Sequence, residues 1–209
     1  MKAFNGYTGE RSPKGYPQLP AGPYVGKIMN VKIDGLEPDQ SLVLLLDVTE
    51  GEHTNYYAKR FAHDDKAYND KKSKYPAKYK GTLYLRIPNP ESKKSMYPES
   101  DLRTFNDAMA DIMSSNPGYT WAWDETSLKG LTVGFSVRQG TYNGSNFTKI
   151  VRLEDANEVR MGHVETLAPM APKSDATEPV GAVYMPPAYQ PPVAQQMNYT
   201  QVQTDELPF

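Results

Sequence analysis

The chain contains no cysteine. That excludes disulfide frameworks, cysteine-rich zinc sites and thiol nucleophiles, and it fits a reducing, cytoplasmic setting. Long apolar runs are also lacking. The longest, Leu42 to Leu46, is far short of the roughly 20 residues of a membrane span, so no membrane association is expected. The opening MKAFNGYTGE has no apolar core and does not read as a secretory signal. Asn146-Phe147-Thr148 fits the glycosylation pattern, and in such a chain the match is read as chance. Neither charge dominates. Lys and Arg number 23 against 25 Asp and Glu, which excludes a uniformly basic coat for nucleic acid and leaves room for a local basic patch. Phenylalanine is scarce at 6 while tyrosine reaches 15. Many tyrosine rings must then be partly exposed, which suits a surface that stacks something.

Composition changes sharply near Leu167. Residues 168–209 hold 8 of the 18 prolines and one basic residue, Lys173, against four acids. No hydrophobic period survives there, so the segment cannot offset its ordering entropy by burial. It is expected to be a disordered Pro/Gln-rich tail with a root-mean-square reach of roughly 35 Å. Residues 1–167 are the expected folded domain, with net charge +1 against −3 for the tail.

The body reads as mainly β. Tyr24–Asp34 alternates in part, with Val25, Met29, Val31 and Ile33 on one face. Leu42–Val48 is nearly all apolar and reads as a strand buried on both sides. The turn cluster Gly35–Gln40 separates them. Tyr56–Phe61 is a third strand candidate. Thr82–Ile87 alternates, turning Leu83, Leu85 and Ile87 inward and Tyr84 and Arg86 outward. Leu102, Phe105, Met109 and Ile112 follow the helical period, with Ser100 or Asp101 as a cap and Ser115-Asn116-Pro117-Gly118 as the stop. Leu131–Arg138 and Phe147–Leu153 form a hairpin through Asn143-Gly144. Three strands, an insertion with an extra basic loop or strand, one helix and a hairpin give the order of a five-stranded OB-fold barrel, with its helix between the third and fourth strands. That fold hosts many functions, so function has to come from the site.

Segment 56–94 carries eleven basic residues against four acids, net +7 in a chain of net −2. Lys59, Arg60, Lys71, Lys72, Lys74, Arg86, Lys93 and Lys94 are interleaved with Tyr56, Tyr57, Phe61 and Tyr84, and Lys66, Lys78, Lys80, Tyr68, Tyr75 and Tyr79 share the segment. Single-stranded nucleic acid needs this mixture, cations for phosphates and aromatic faces for unpaired bases. A duplex would need the cations but fewer aromatics. The plainer alternative is a solvated Lys-rich loop whose tyrosines pack locally. Arg138, Lys149 and Arg152 on the hairpin strands and Tyr142 at its tip complete the nucleic-acid candidates. Trp121 and Trp123 could stack bases, but at i, i+2 beside the helix they read first as docking residues. His53, His63, Asp64 and Asp65 have ligand chemistry without a completed pattern. No metal, cofactor or catalytic group is expected.

The last residues are Asp205, Glu206, Leu207, Pro208 and Phe209. Two acids before an aliphatic residue, Pro and Phe make a small portable ligand. The ring fills an apolar pocket and the acids meet a basic rim. This ending resembles the tip of bacterial single-stranded-DNA-binding proteins, as does the plan of OB-like body, Pro/Gln-rich linker and acidic tip. The run from Ser115 to Trp121 and the 62–80 insertion look like the divergent members from bacteriophages and mobile elements. The resemblance implies a non-enzymatic protein in a bacterial host cell that coats single-stranded DNA during replication, recombination and repair. It implies that residues 205–209 recruit replication and recombination enzymes, and it allows a homo-oligomer. A protein–protein adaptor built on the same barrel is the alternative, and a metal-dependent nuclease is a third.

Overall fold

A computed structural model describes residues 16–92 and 98–172. All of them fall in the first of two units into which the chain divides, Met1–Ser174 and Asp175–Phe209. Lys93, Lys94, most of the expected tail and the tip from Asp205 to Phe209 lie outside the described residues.

The fold is mainly β. Five strands, β1 (Gly22–Asp34), β2 (Ser41–Val48), β3 (Thr82–Arg86), β4 (Thr132–Tyr142) and β5 (Ser145–Glu154), form one antiparallel sheet in the order β3-β2-β1-β4-β5. The helices are α1 (Tyr56–Asn69), α2 (Pro98–Ser115) and α3 (Ala156–Arg160). The sequence reading of one helix is therefore corrected. Tyr56–Phe61 is not a strand but the start of α1, and the third strand is Thr82–Arg86.

The central strand β1 serves two neighbours. Its first half pairs with β4 and its second half with β2. The two pairings overlap at Gly26 and Lys27, and at Gly26 a Cβ would stand 2.1 Å from the Asp47 carbonyl and 2.6 Å from the Phe135 ring. Only glycine allows that approach. Just beyond, the register steps from Ile28↔Leu46 to Asn30↔Leu45, so Met29 is an extra residue. The bulge reverses the expected facing. Ile28 is fully buried and Met29 is 48% exposed.

Strand β2 is buried along nearly its whole length, as its apolar run predicts. The core lies between the inner face of the sheet and α2, which contributes Phe105, Ala108, Met109 and Ile112. Leu102 stays outside this stripe and is exposed. Ser100 and Asp101 lie in the first turn of α2, which runs from Pro98. Its end is as read. Gly118 takes φ +90°, and the Asn116 side chain donates to the Ile112 and Thr132 carbonyls at 2.7 and 2.6 Å, tying the helix to β4. The β4–β5 turn places Asn143 and Gly144 at φ 46° and 74°, the paired positive values of a tight hairpin turn.

Candidate functional site

The register sets the outer face of the sheet. Leu42, Leu44 and Leu46 point into the core, so Val43 and Leu45 take the other side. Val43 pairs with Lys32 on β1 and Tyr84 on β3, which puts a cation and an aromatic ring on either side of a buried valine. The Tyr84 ring is 58% exposed. Among the described residues the acid that Lys32 meets is Asp34, at 3.9 Å. Arg86 follows Tyr84 on the same face, and Asp101 of α2 stands 3.4 Å from its guanidinium. Sequence patterning alone does not single out Lys32. Only the pairing through Val43 brings it to Tyr84.

Helix α1 borders this face. Its local sequence offers a capping residue, Asn55, that the structure does not use. Asn55 precedes it in the left-handed conformation without a side-chain hydrogen bond. Asp47 of β2 supplies the cap, its carboxylate accepting from the backbone N–H groups of Val48, Tyr57 and Ala58 at 2.9, 2.9 and 3.0 Å. Tyr56 and Tyr57, expected to meet nucleic acid, are buried by this docking. The Tyr56 hydroxyl accepts from Leu19 N–H at 2.8 Å and donates to the Pro17 carbonyl at 2.6 Å, fastening the N-terminal segment. Tyr57 is 2% exposed. Its ring fits only because residue 81 is glycine, where a Cβ would lie 2.6 Å from it. Burial pushes the Tyr57 phenol far above its ordinary range, with Tyr56 adding to the effect.

The exposed aromatics of α1 begin one turn later. Phe61 reaches the surface with its ring 6.2 Å from Tyr79. The Tyr79 hydroxyl donates to the Leu46 carbonyl at 3.0 Å, and burial, reinforced by Asp47, pushes its phenol well up. Lys59 donates to the Thr54 carbonyl at 2.9 Å. Arg60 approaches Asp64 at 3.9 Å. Lys71 closes the helix through its backbone, Lys72 lies 3.5 Å from Asp70, and Lys74 lies 5.8 Å from the Tyr75 ring centroid.

The hairpin candidates form a second group. Gly22 of β1 pairs with Val137, so β4 beyond Val137 has no partner on β1 and runs on with β5 as a two-stranded arm. Tyr142 is exposed at its tip. Arg138 pairs in register with Lys149. Its guanidinium donates to the Ala168 and Pro169 carbonyls, and Met170 N–H donates to the Gln139 carbonyl at 2.8 Å. The chain beyond Leu167 thus lies against the arm as far as Met170. Arg152 is held by Glu154 at 2.5 Å, so of these three cations Lys149 is the one that no described carboxylate or carbonyl engages.

Trp121 and Trp123 both reach Phe105 of α2, at 6.4 and 5.7 Å. Trp121 is half-buried with its indole N–H shielded and unpaired. Trp123 takes φ +59°, stacks parallel on Phe105 and remains 69% exposed. The remaining ligand-type residues pair off. His53 contacts Glu52 at 3.0 Å and His63 contacts Asp64 at 3.2 Å. Among the described residues no three His, Asp or Glu side chains come together as a metal site. Nor is any described helix long and apolar enough to cross a membrane.

Compared with known proteins, the chain matches no family model and no curated protein.

Proposed function

We propose that this protein binds single-stranded DNA without sequence preference and without catalysis, through the outer face of β1, β2 and β3. The observation that carries the reading is the row Lys32–Val43–Tyr84. It sets an exposed ring and an exposed cation on either side of a buried valine on the outer sheet face, with Phe61 and Tyr79 on the adjoining elements. A ring in that position stacks any base, because every base has a π-face, and the cation follows the phosphates.

The strand order supports the same reading. β3-β2-β1-β4-β5 with α2 between β3 and β4 is the order of an OB barrel opened between its third and fifth strands. In that fold the face of strands 2 and 3 and the loops joining strands 1–2 and 4–5 take oligonucleotides. On this reading Tyr84 on β3 and Tyr142 at the β4–β5 turn are the residues to take those roles.

The chemistry of Asp205, Glu206, Leu207, Pro208 and Phe209 supports a second role, recruitment of replication and recombination enzymes, in a bacterium or its phage, to the coated strand. Removing residues 205–209 then leaves DNA affinity equal or higher and abolishes capture of such enzymes.

A fluorescence titration with oligo-dT and with a duplex of equal charge, each at two salt concentrations, tests the DNA-binding role. Tight, salt-dependent binding to the single strand and weak binding to the duplex are expected. The slope of log K against log salt, about −0.7 per phosphate neutralised, counts the engaged cations. No binding to oligo-dT at low salt overturns the reading and leaves an adaptor role.

A further inference from the structure

We propose that the cleft between α1 and the segment 73–80 holds one nucleotide of the bound strand, its phosphate among Arg60, Lys78 and Lys80 and its base on Tyr75. The inference rests on the single-strand reading above and places a nucleotide away from the sheet face.

The cleft is formed by local chemistry. Arg60, Asp64 and Ala67 recur at i, i+4 and i+7, so they share one face of α1. The chain is turned back along that face by Lys71 at φ +56°. Lys71 N–H donates to the Tyr68 carbonyl at 2.9 Å and Lys72 N–H to the Ala67 carbonyl at 2.8 Å, the paired bonds of a Schellman ending. The returning segment supplies the opposite wall and leaves a space of 640 Å³, within the range of roughly 300–1,000 Å³ for small-ligand sites.

Tyr75 is held by its backbone and not by its ring. The Ser73 hydroxyl donates to the Tyr75 carbonyl at 3.0 Å and accepts from Tyr75 N–H at 3.3 Å, and Pro76 restricts Tyr75 further. Yet its side chain is 71% exposed. The ring therefore stands out from a fixed backbone with the Lys74 ammonium 5.8 Å from its centroid, an aromatic face and a cation that a base and its phosphate can share.

The cations face the same space. Arg60 Nε is shielded from water and has no hydrogen-bond partner. Its Nη1 reaches the Tyr56 hydroxyl only at 3.4 Å, and Asp64 stays 3.9 Å from Nε. The Arg60 side chain keeps 22% of its surface exposed, so a phosphate in the cleft meets its terminal nitrogens and not the shielded Nε. Lys78 and Lys80 are exposed and make no ion pair among the described residues. Three cations thus meet one carboxylate, Asp64, which His63 also contacts. A duplex would offer phosphates to these cations but no unstacked base to Tyr75.

The test uses the full chain and oligo-dT. Tyr75→Ala is expected to weaken binding about 5- to 150-fold, the range for losing one stacked base. Lys78→Gln with Lys80→Gln is expected to lower the salt slope by about 1.4, two phosphate contacts at about 0.7 each. All three side chains are exposed, and unchanged thermal unfolding verifies that the variants fold. An oligo-dT carrying one 5-iodouracil should cross-link to residues 73–80 in the parent protein. If the parent binds oligo-dT while Tyr75→Ala keeps full affinity and the double variant keeps the full slope, the cleft assignment fails and the single-strand reading stands. If the parent does not bind, both fail. Competition by inorganic phosphate as effective as by oligo-dT overturns the nucleotide in favour of an anion alone.

Discussion

The carboxylate of Asp47, buried on β2, accepts a 2.9 Å hydrogen bond from the backbone N–H of Tyr57 in the first turn of α1. With Ala58 and Val48 also donating to it, one side chain joins the sheet to the helix that borders the proposed DNA face. Replacing it leaves three N–H groups without an acceptor. Asp47→Ala should therefore cost about 2–4 kcal/mol, a helix cap plus buried donors left unpaired. Urea unfolding measures this, and amide exchange in α1 should accelerate first. A loss below 0.5 kcal/mol, on the scale of an ordinary surface change, would mean that another group caps the helix.

Tyr57 makes the opposite case. Its hydroxyl is buried without a hydrogen-bond partner, so removing it removes an unsatisfied polar group. Tyr57→Phe should raise stability by about 1 kcal/mol and leave oligo-dT affinity unchanged. A clear loss of stability would show that the hydroxyl is bonded.

Tyr84 has an exposed ring and no core role. Tyr84→Ala should keep the unfolding midpoint and weaken oligo-dT binding about 5- to 150-fold. Retained affinity would exclude the β3 face from the interface.

Lys71 adopts a left-handed conformation at the end of α1, where a side chain is unfavourable and glycine is not. Lys71→Gly should raise stability by about 1 kcal/mol. If its ammonium also meets a phosphate, the salt slope falls by about 0.7 in the same variant. The two readouts separate the backbone role from the charge.

Asp111 on α2 is expected to make stability pH-dependent. Burial, then the neighbouring Glu154, Asp155 and Asp107, raise its pKa from 3.8 to about 6, with Arg152 opposing. The native state therefore keeps a proton that the unfolded chain releases near its ordinary pKa. The stabilisation is complete below about pH 4 and is lost as pH rises through 6. Glu50, held low mainly by its hydrogen bond to Arg160, contributes in the opposite sense. So does Asp155, which hydrogen bonds from Ser114, Asn157 and Ser115 hold low even though burial works against them. The informative quantity is the difference between parent and Asp111→Asn. The variant should gain relative stability between pH 4 and 7 and be the more stable at pH 8. Parallel profiles would exclude Asp111 as the source.

Much of the sheet was legible from residue order. Period-two alternation located β3 with Tyr84 outward, the apolar run gave β2 as a doubly buried strand, and Asn143-Gly144 marked the hairpin. Each depends on contacts between near neighbours in sequence. Two errors have physical causes. Tyr56–Phe61 has strand-like aromatic composition, and its adjacent Asn55 makes no cap hydrogen bond because Asp47 of β2 caps the helix instead. Met29 breaks the alternation because Gly26 lets β1 turn between two partners and a bulge follows.

The sequence by itself determined the mainly β class, the helical stripe of α2 and its stop, the hairpin turn, and the concentration of cations and tyrosines in 56–94. These follow from local propensity, periodicity and composition. Only the tertiary structure decided which of those residues face solvent. It buried Tyr56 and Tyr57, left Tyr84 and Tyr75 exposed, engaged Arg138 and Arg152 with neighbours, and brought Lys32 to the row of Tyr84. Composition cannot make that selection, because burial and pairing depend on strand register and helix docking across tens of residues.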